Sequence, residues 1–155
     1  MSINKNVIKN IQKQIIQLLS HDQQKQLGIL LADSCSEMAR LVAGWIKALD
    51  KTNHIAIIKG INVCGTQKAH DMIAITTASG QVYIIDPTVW QFFPKTKSIL
   101  FFVSGDINIV WDKINAKYGG QWSISEEFIK MTKNDEKKYL KVIAQNIHEN
   151  LRWLN

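Results

Sequence analysis

The sequence predicts an α+β fold. Apolar residues recur every three or four positions near both ends, the middle of the chain alternates with a period of two, and the strands cluster instead of alternating with helices. The expected architecture is a small antiparallel sheet packed with helices in one domain spanning 1–155. Its parts are an N-terminal helix (1–20), a central core (34–92) and a C-terminal helix (134–154).

Ile3, Val7, Ile11, Ile15 and Leu18 form the stripe of the first helix, with Lys and Gln between them. The stripe lacks Trp and Phe, which favours packing on the domain over a membrane surface. A shorter helical turn is expected over Gln23 to Leu31. The best-marked helix starts at Ser34, with Glu37 three residues later as a capping box. Met38, Leu41, Val42, Trp45 and Leu49 form its buried stripe, and Asp50 to Asn53 ends it.

The period then changes. His54 to Ile61, His70 to Thr76, Gln81 to Asp86 and Ser98 to Ser104 read as strands, with Gly65 to Lys68 a loop and Ala78-Ser79-Gly80 a turn. Ile107 to Tyr118 returns to helix and stops at Gly119-Gly120. Asn134 is the expected cap of the last helix, whose stripe is Leu140, Ile143, Ile147, Leu151 and Leu154. Lys137, Lys138 and Lys141 form its solvated face.

Composition narrows the function classes. Hydrophobic residues make up 46% and charged residues 21%, which excludes a disordered tail or a fibre. No apolar run approaches the ~20 residues of a transmembrane helix. The formal charge is +6, but only Arg40 and Arg152 are arginines, so no nucleic-acid partner is expected. Two cysteines, Cys35 and Cys64, make no disulfide framework. The N-terminus has no classical leader pattern. His21, His54, His70 and His148 are scattered, and neither a P-loop nor a dinucleotide fingerprint occurs, so no metal and no cofactor are expected.

Cys35, His70 and Asp86 are the candidate catalytic residues. With Ser34 at the N-cap, Cys35 is the first residue of its helix, where free amides and the positive dipole end favour a thiolate. His70 opens one strand and Asp86 ends the next. If they face each other, paired numbers on the two strands sum to 156, Thr76 faces Gly80, and the loop is Thr77-Ala78-Ser79. Cys64, at a strand end or in a loop, has no helix start to activate it and reads as a passenger or a redox regulator.

The stretches Cys35-Ser-Glu-Met-Ala-Arg-Leu, Ala69-His70-Asp-Met-Ile-Ala-Ile and Tyr83-Ile-Ile-Asp86-Pro-Thr88 resemble the papain-like and transglutaminase-like core. The spacings are similar to those of small bacterial effector and toxin glutamine deamidases. The resemblance covers about residues 30 to 92. It implies Cys35 as nucleophile, His70 as general base and Asp86 as its orienter. The family's oxyanion-hole Gln has no counterpart next to Cys35; the nearest, Gln26, lies nine residues earlier. Asp33 and Ser34 precede the Cys instead.

A Cys-His-Asp triad expels an amine or ammonia from an acyl carbon. The expectation is a protein-glutamine deamidase acting on a protein partner that presents a glutamine side chain. As a bacterial effector or toxin it would be made in the cytoplasm and exported by a specialised system. A cysteine protease or transglutaminase is the enzyme alternative, and a non-enzymatic binding, adaptor or immunity protein the alternative from another class. Trp45, Trp111 and Trp153 are expected in the core and Trp90 near the site. Target and oligomeric state are left open.

Overall fold

The computed structural model describes residues 2–19 and 26–154. Five helices, α1 (Lys5–Leu18), α2 (Leu27–Leu30), α3 (Cys35–Leu49), α4 (Ile107–Tyr118) and α5 (Lys133–Leu151), surround one sheet. Its strands are β1 (His54–Ile61), β2 (His70–Thr76), β3 (Val82–Ile85), β4 (Leu100–Ser104) and β5 (Gln121–Phe128). The order is β4-β3-β2-β1-β5, with every neighbouring pair antiparallel. The α+β class and the start of α3 at Cys35 are as the sequence predicts. The turn expected over Gln23 to Leu31 is α2, shorter than expected; positions 23–25 lie outside the described residues.

Strand alternation divides the core in two. Ile55, Ile57, Ile73, Ile75 and Ile85 pack with residues of α1, α3 and α5, including Ile11, Ile15, Met38, Leu41 and Ile143. Ile58, Met72, Val82 and Ile84 face the other way and pack with Val110, Ile114 and Tyr118 of α4. Helices α1, α3 and α5 cover the isoleucine face of the sheet, whose buried charge, Asp71, is paired with Arg40 of α3.

Several expectations are corrected. Thr132, not Asn134, caps α5: its side chain accepts from Asp135 N, and Asp135 accepts from Thr132 N. The sequence predicts no strand over Gln121–Phe128, where β5 runs. Gln121–Phe128 carries only a short alternation, Trp122 and Ile124 between polar residues, which Ser125-Glu126-Glu127 breaks, and most of it is exposed, so its local signal is weak. Trp153 is 82% exposed, not core.

The hairpin register also differs. Thr76 pairs with Val82 and Ile73 with Ile85, so paired numbers sum to 158, not 156. The turn closes one residue later than expected. Gly80 N donates to Thr77 O, Thr77 N donates to Gln81 O, and Gly80 takes φ 88°, the left-handed value glycine adopts without strain. A shift of two keeps every side chain on its expected face, because the strand period is two.

Candidate active site

His70 opens β2 and Asp86 follows β3, both on the α4 side of the sheet. They sit diagonally rather than directly opposite. His70 Nε2 donates to Asp86 Oδ2 at 2.8 Å, and both side chains are fully buried. Asp86 Oδ2 also accepts from Tyr118 Oη at 2.7 Å, and Oδ1 accepts from Thr88 N at 3.1 Å. The carboxylate is therefore held by three donors and cannot rotate away from the ring. Tyr118, the last residue of α4, was not singled out in the sequence. Its position on the α4 stripe reads as ordinary core.

Rings enclose the imidazole. Phe92 stands edge-on at 4.9 Å between centroids, Tyr118 stacks at 6.0 Å and Trp122 lies at 6.4 Å. Gly60 makes room for Trp122: a Cβ there would come within 2.5 Å of its indole. Trp122 is thus the tryptophan beside His70, while Trp90 lines a groove next to the site with Asp33 and Gln91. Trp90 is buried in the larger core, where its indole N–H donates to Thr96 O.

Burial by itself would lower the imidazole pKa. The charge and hydrogen bond of Asp86, and then Cys35, outweigh it and raise the pKa to about 10. With Nε2 taken by Asp86, Nδ1 is the nitrogen left for the sulfur. Nδ1 has no partner that meets hydrogen-bond geometry, and Cys35 is the neighbour, after Asp86, that favours the charged ring. Tyr118 is pushed well above its ordinary value, first by burial and then by the Asp86 charge, so it stays a donor.

Cys35 is half-buried at the first position of α3. The expected capping box is absent. Ser34 has φ −109° and ψ 7°, not the extended backbone of a cap, and its side chain makes no capping bond. Its buried hydroxyl accepts instead from Asn146 Nδ2 at 3.1 Å. The first turn of α3 therefore keeps its amides unclaimed by a side chain beside the sulfur, the arrangement that stabilises an oxyanion.

Asp33, just before, has φ 65°; Asn62 and Cys64 share that left-handed region. Among the described residues, all three non-glycine residues with positive φ lie in the two loops that lead into Cys35 and His70. Such strain costs about 1–3 kcal/mol per residue and must be held by surrounding bonds.

Arg40, one turn into α3, fixes the helix to the sheet. Its guanidinium pairs with Asp71 Oδ2 at 3.0 Å and Glu126 Oε1 at 2.8 Å, tying α3 to β2 and β5. Asp71 is the neighbour of His70, so the pair also sets the height of Cys35 relative to the ring.

A cleft of about 250 Å³ opens at the sulfur, lined by Asp33, Cys35, Lys68, Gln91 and Phe92 among others. Gln26 lines an adjoining groove and not this cleft. Gln91, in the 3₁₀ turn after Asp86, is the glutamine that shares the cleft with Cys35, and its amide donates to Leu31 O. Cys64 lies in a 3₁₀ turn and is exposed. Burial, then the Asp86 charge, raise its thiol pKa, with Lys117 opposing. Among the described residues no group of three or more His, Cys, Asp and Glu is placed to hold a metal ion. No described helix is long and apolar enough to cross a membrane. Comparison with family models, curated proteins and solved structures finds no match to this chain.

Proposed function

We propose that this chain is a papain-like cysteine enzyme that deamidates glutamine side chains of a protein partner. Cys35 attacks the carboxamide carbon, and the amides at the start of α3 bind the oxyanion. His70 passes its Nδ1 proton to the leaving ammonia. It then takes a proton from the water that opens the thioester, which leaves glutamate. Asp86, held by Tyr118 and Thr88, keeps the ring turned so that Nδ1 and not Nε2 meets the sulfur.

One observation carries the reading: a fully buried His70–Asp86 pair with one ring nitrogen unbonded, acted on by Cys35 from an uncapped helix start. A structural histidine buried this deeply would use both nitrogens. The narrow cleft favours one side chain over an extended peptide, and so deamidation over proteolysis. The resemblance to effector and toxin deamidases suggests delivery into another cell.

Intact mass of candidate partner proteins after incubation tests this. A gain of about 1 Da that requires Cys35 is the expected result, since amide becomes acid. Cleavage would indicate the protease alternative, and a covalent partner with loss of ammonia the transglutaminase. No change with any partner, together with ordinary thiol reactivity at Cys35, would favour a binding protein.

A further inference from the structure

The loop before Cys35 is held in an unusual way. Four successive carbonyls, residues 30 to 33, each accept a side-chain amide. Asn150 Nδ2 donates to Leu30 O at 3.1 Å and to Ala32 O at 3.0 Å. Gln91 donates to Leu31 O. Asn146 Nδ2 donates to Asp33 O at 3.1 Å and also to Ser34 Oγ. Backbone partners claim few of these groups, because a left-handed Asp33 between α2 and α3 breaks any regular ladder. Asn146 and Asn150 are one turn apart on α5, so both face this loop from the same side of the helix. Asn150 is buried.

We propose that Asn146 and Asn150 are positioning residues for the nucleophile. They fix the path of residues 30–34 so that Cys35 meets His70 and the Ser34 hydroxyl stays away from the first turn of α3. Neither touches the ring or the sulfur; each acts through the backbone it holds. Asn146 has the larger share, because it holds both the strained residue and the diverted hydroxyl. The proposal rests on Cys35 being the nucleophile of the reading above.

The test uses the full chain with Cys64→Ser, so that one thiol reports. Two rates are read: alkylation of Cys35 by iodoacetamide at neutral pH, and ammonia release from a blocked glutaminyl-glycine dipeptide. In Asn146→Ala both the alkylation rate and kcat fall by about tenfold or more, with KM within about twofold and the far-UV spectrum and cooperative melt kept. Adding Asp33→Gly to Asn146→Ala recovers part of the loss, because glycine takes a positive φ without being held there.

A folded Asn146→Ala that alkylates at the parent rate overturns the proposal, as does a raised KM with alkylation untouched. Asn150→Ala is the second variant; if this more buried site fails to fold, Asn146→Ala decides alone. Parent protein that alkylates no faster than a free thiol would sink the nucleophile reading itself, an outcome visible before any asparagine is changed.

Discussion

Helix α5 begins with a closed capping box, Thr132 and Asp135 exchanging bonds between side chain and backbone, with Asp135 and Glu136 in its first turn. Helix α3 begins at Ser34 with no side-chain cap, although Ser is as good a cap residue as Thr and Glu37 stands at the box position. Local sequence cannot tell these two starts apart. What differs is tertiary: Asn146 takes the Ser34 hydroxyl, and nothing takes that of Thr132 from its own helix. A helix start that keeps its amides open, at a cost in local stability, sits where a sulfur and a histidine meet. The closed start sits where no candidate chemistry is found.

The largest effect expected is at the open start itself. Cys35→Ala abolishes deamidation of the partner while leaving the melting temperature within a few degrees, because a small side chain fits a helix start. Surviving activity, read by intact mass, would remove the reason for the open start. Asp86→Ala comes next. It strips the buried imidazole of its counter-charge and leaves Tyr118 without an acceptor, so it lowers stability by about 3–5 kcal/mol in denaturant titration. Asp86→Asn is milder, and a loss below about 1 kcal/mol for the alanine would mean that the pair is not the buried unit described.

The pH dependence is third. His70 has a folded-state pKa raised from 6.5 to about 10. Its contribution to stability is therefore fully present below about 6.5 and is lost as pH rises through about 10. Melting temperatures of the parent protein should fall over that range relative to His70→Gln, which has nothing to lose there. Parallel curves would contradict the charged pair.

The smallest effect compares the two caps directly. Thr132→Ala should cost about 1 kcal/mol and leave activity unchanged. Ser34→Ala removes no cap but takes a buried acceptor from Asn146, so it should cost a similar amount and also slow Cys35 alkylation. An alkylation rate unchanged in Ser34→Ala would mean that the diverted hydroxyl does not bear on the open start.

The elements nearest the site were legible because each carries a local signal. Met38, Leu41 and Val42 give α3 its helical period, and Gly80 marks the hairpin turn. Cys35, His70 and Asp86 fall at one helix start and two strand ends. The register was out by two, yet the His70–Asp86 pair survived, because a face depends only on odd or even displacement. Illegible were the residues whose roles arise only on packing. Tyr118 reads as core, and Trp122 lies on an edge strand whose alternation lasts only from Trp122 to Ile124. Asn146 and Asn150 look like the polar flank of an amphipathic helix until the loop they hold is in place.

The separation of those asparagines from their carbonyl partners has a kinetic consequence. The bonds from Asn146 to Asp33 and from Asn150 to Leu30 close loops of 113 and 120 residues. The β2–β3 hairpin that joins His70 to Asp86 spans only 16. Closing a long loop costs more entropy and comes later on folding routes governed by topology. A refolding chain can thus hold His70 and Asp86 together before Cys35 is brought to them. The aimed thiol belongs to the finished molecule, after the last helix has docked.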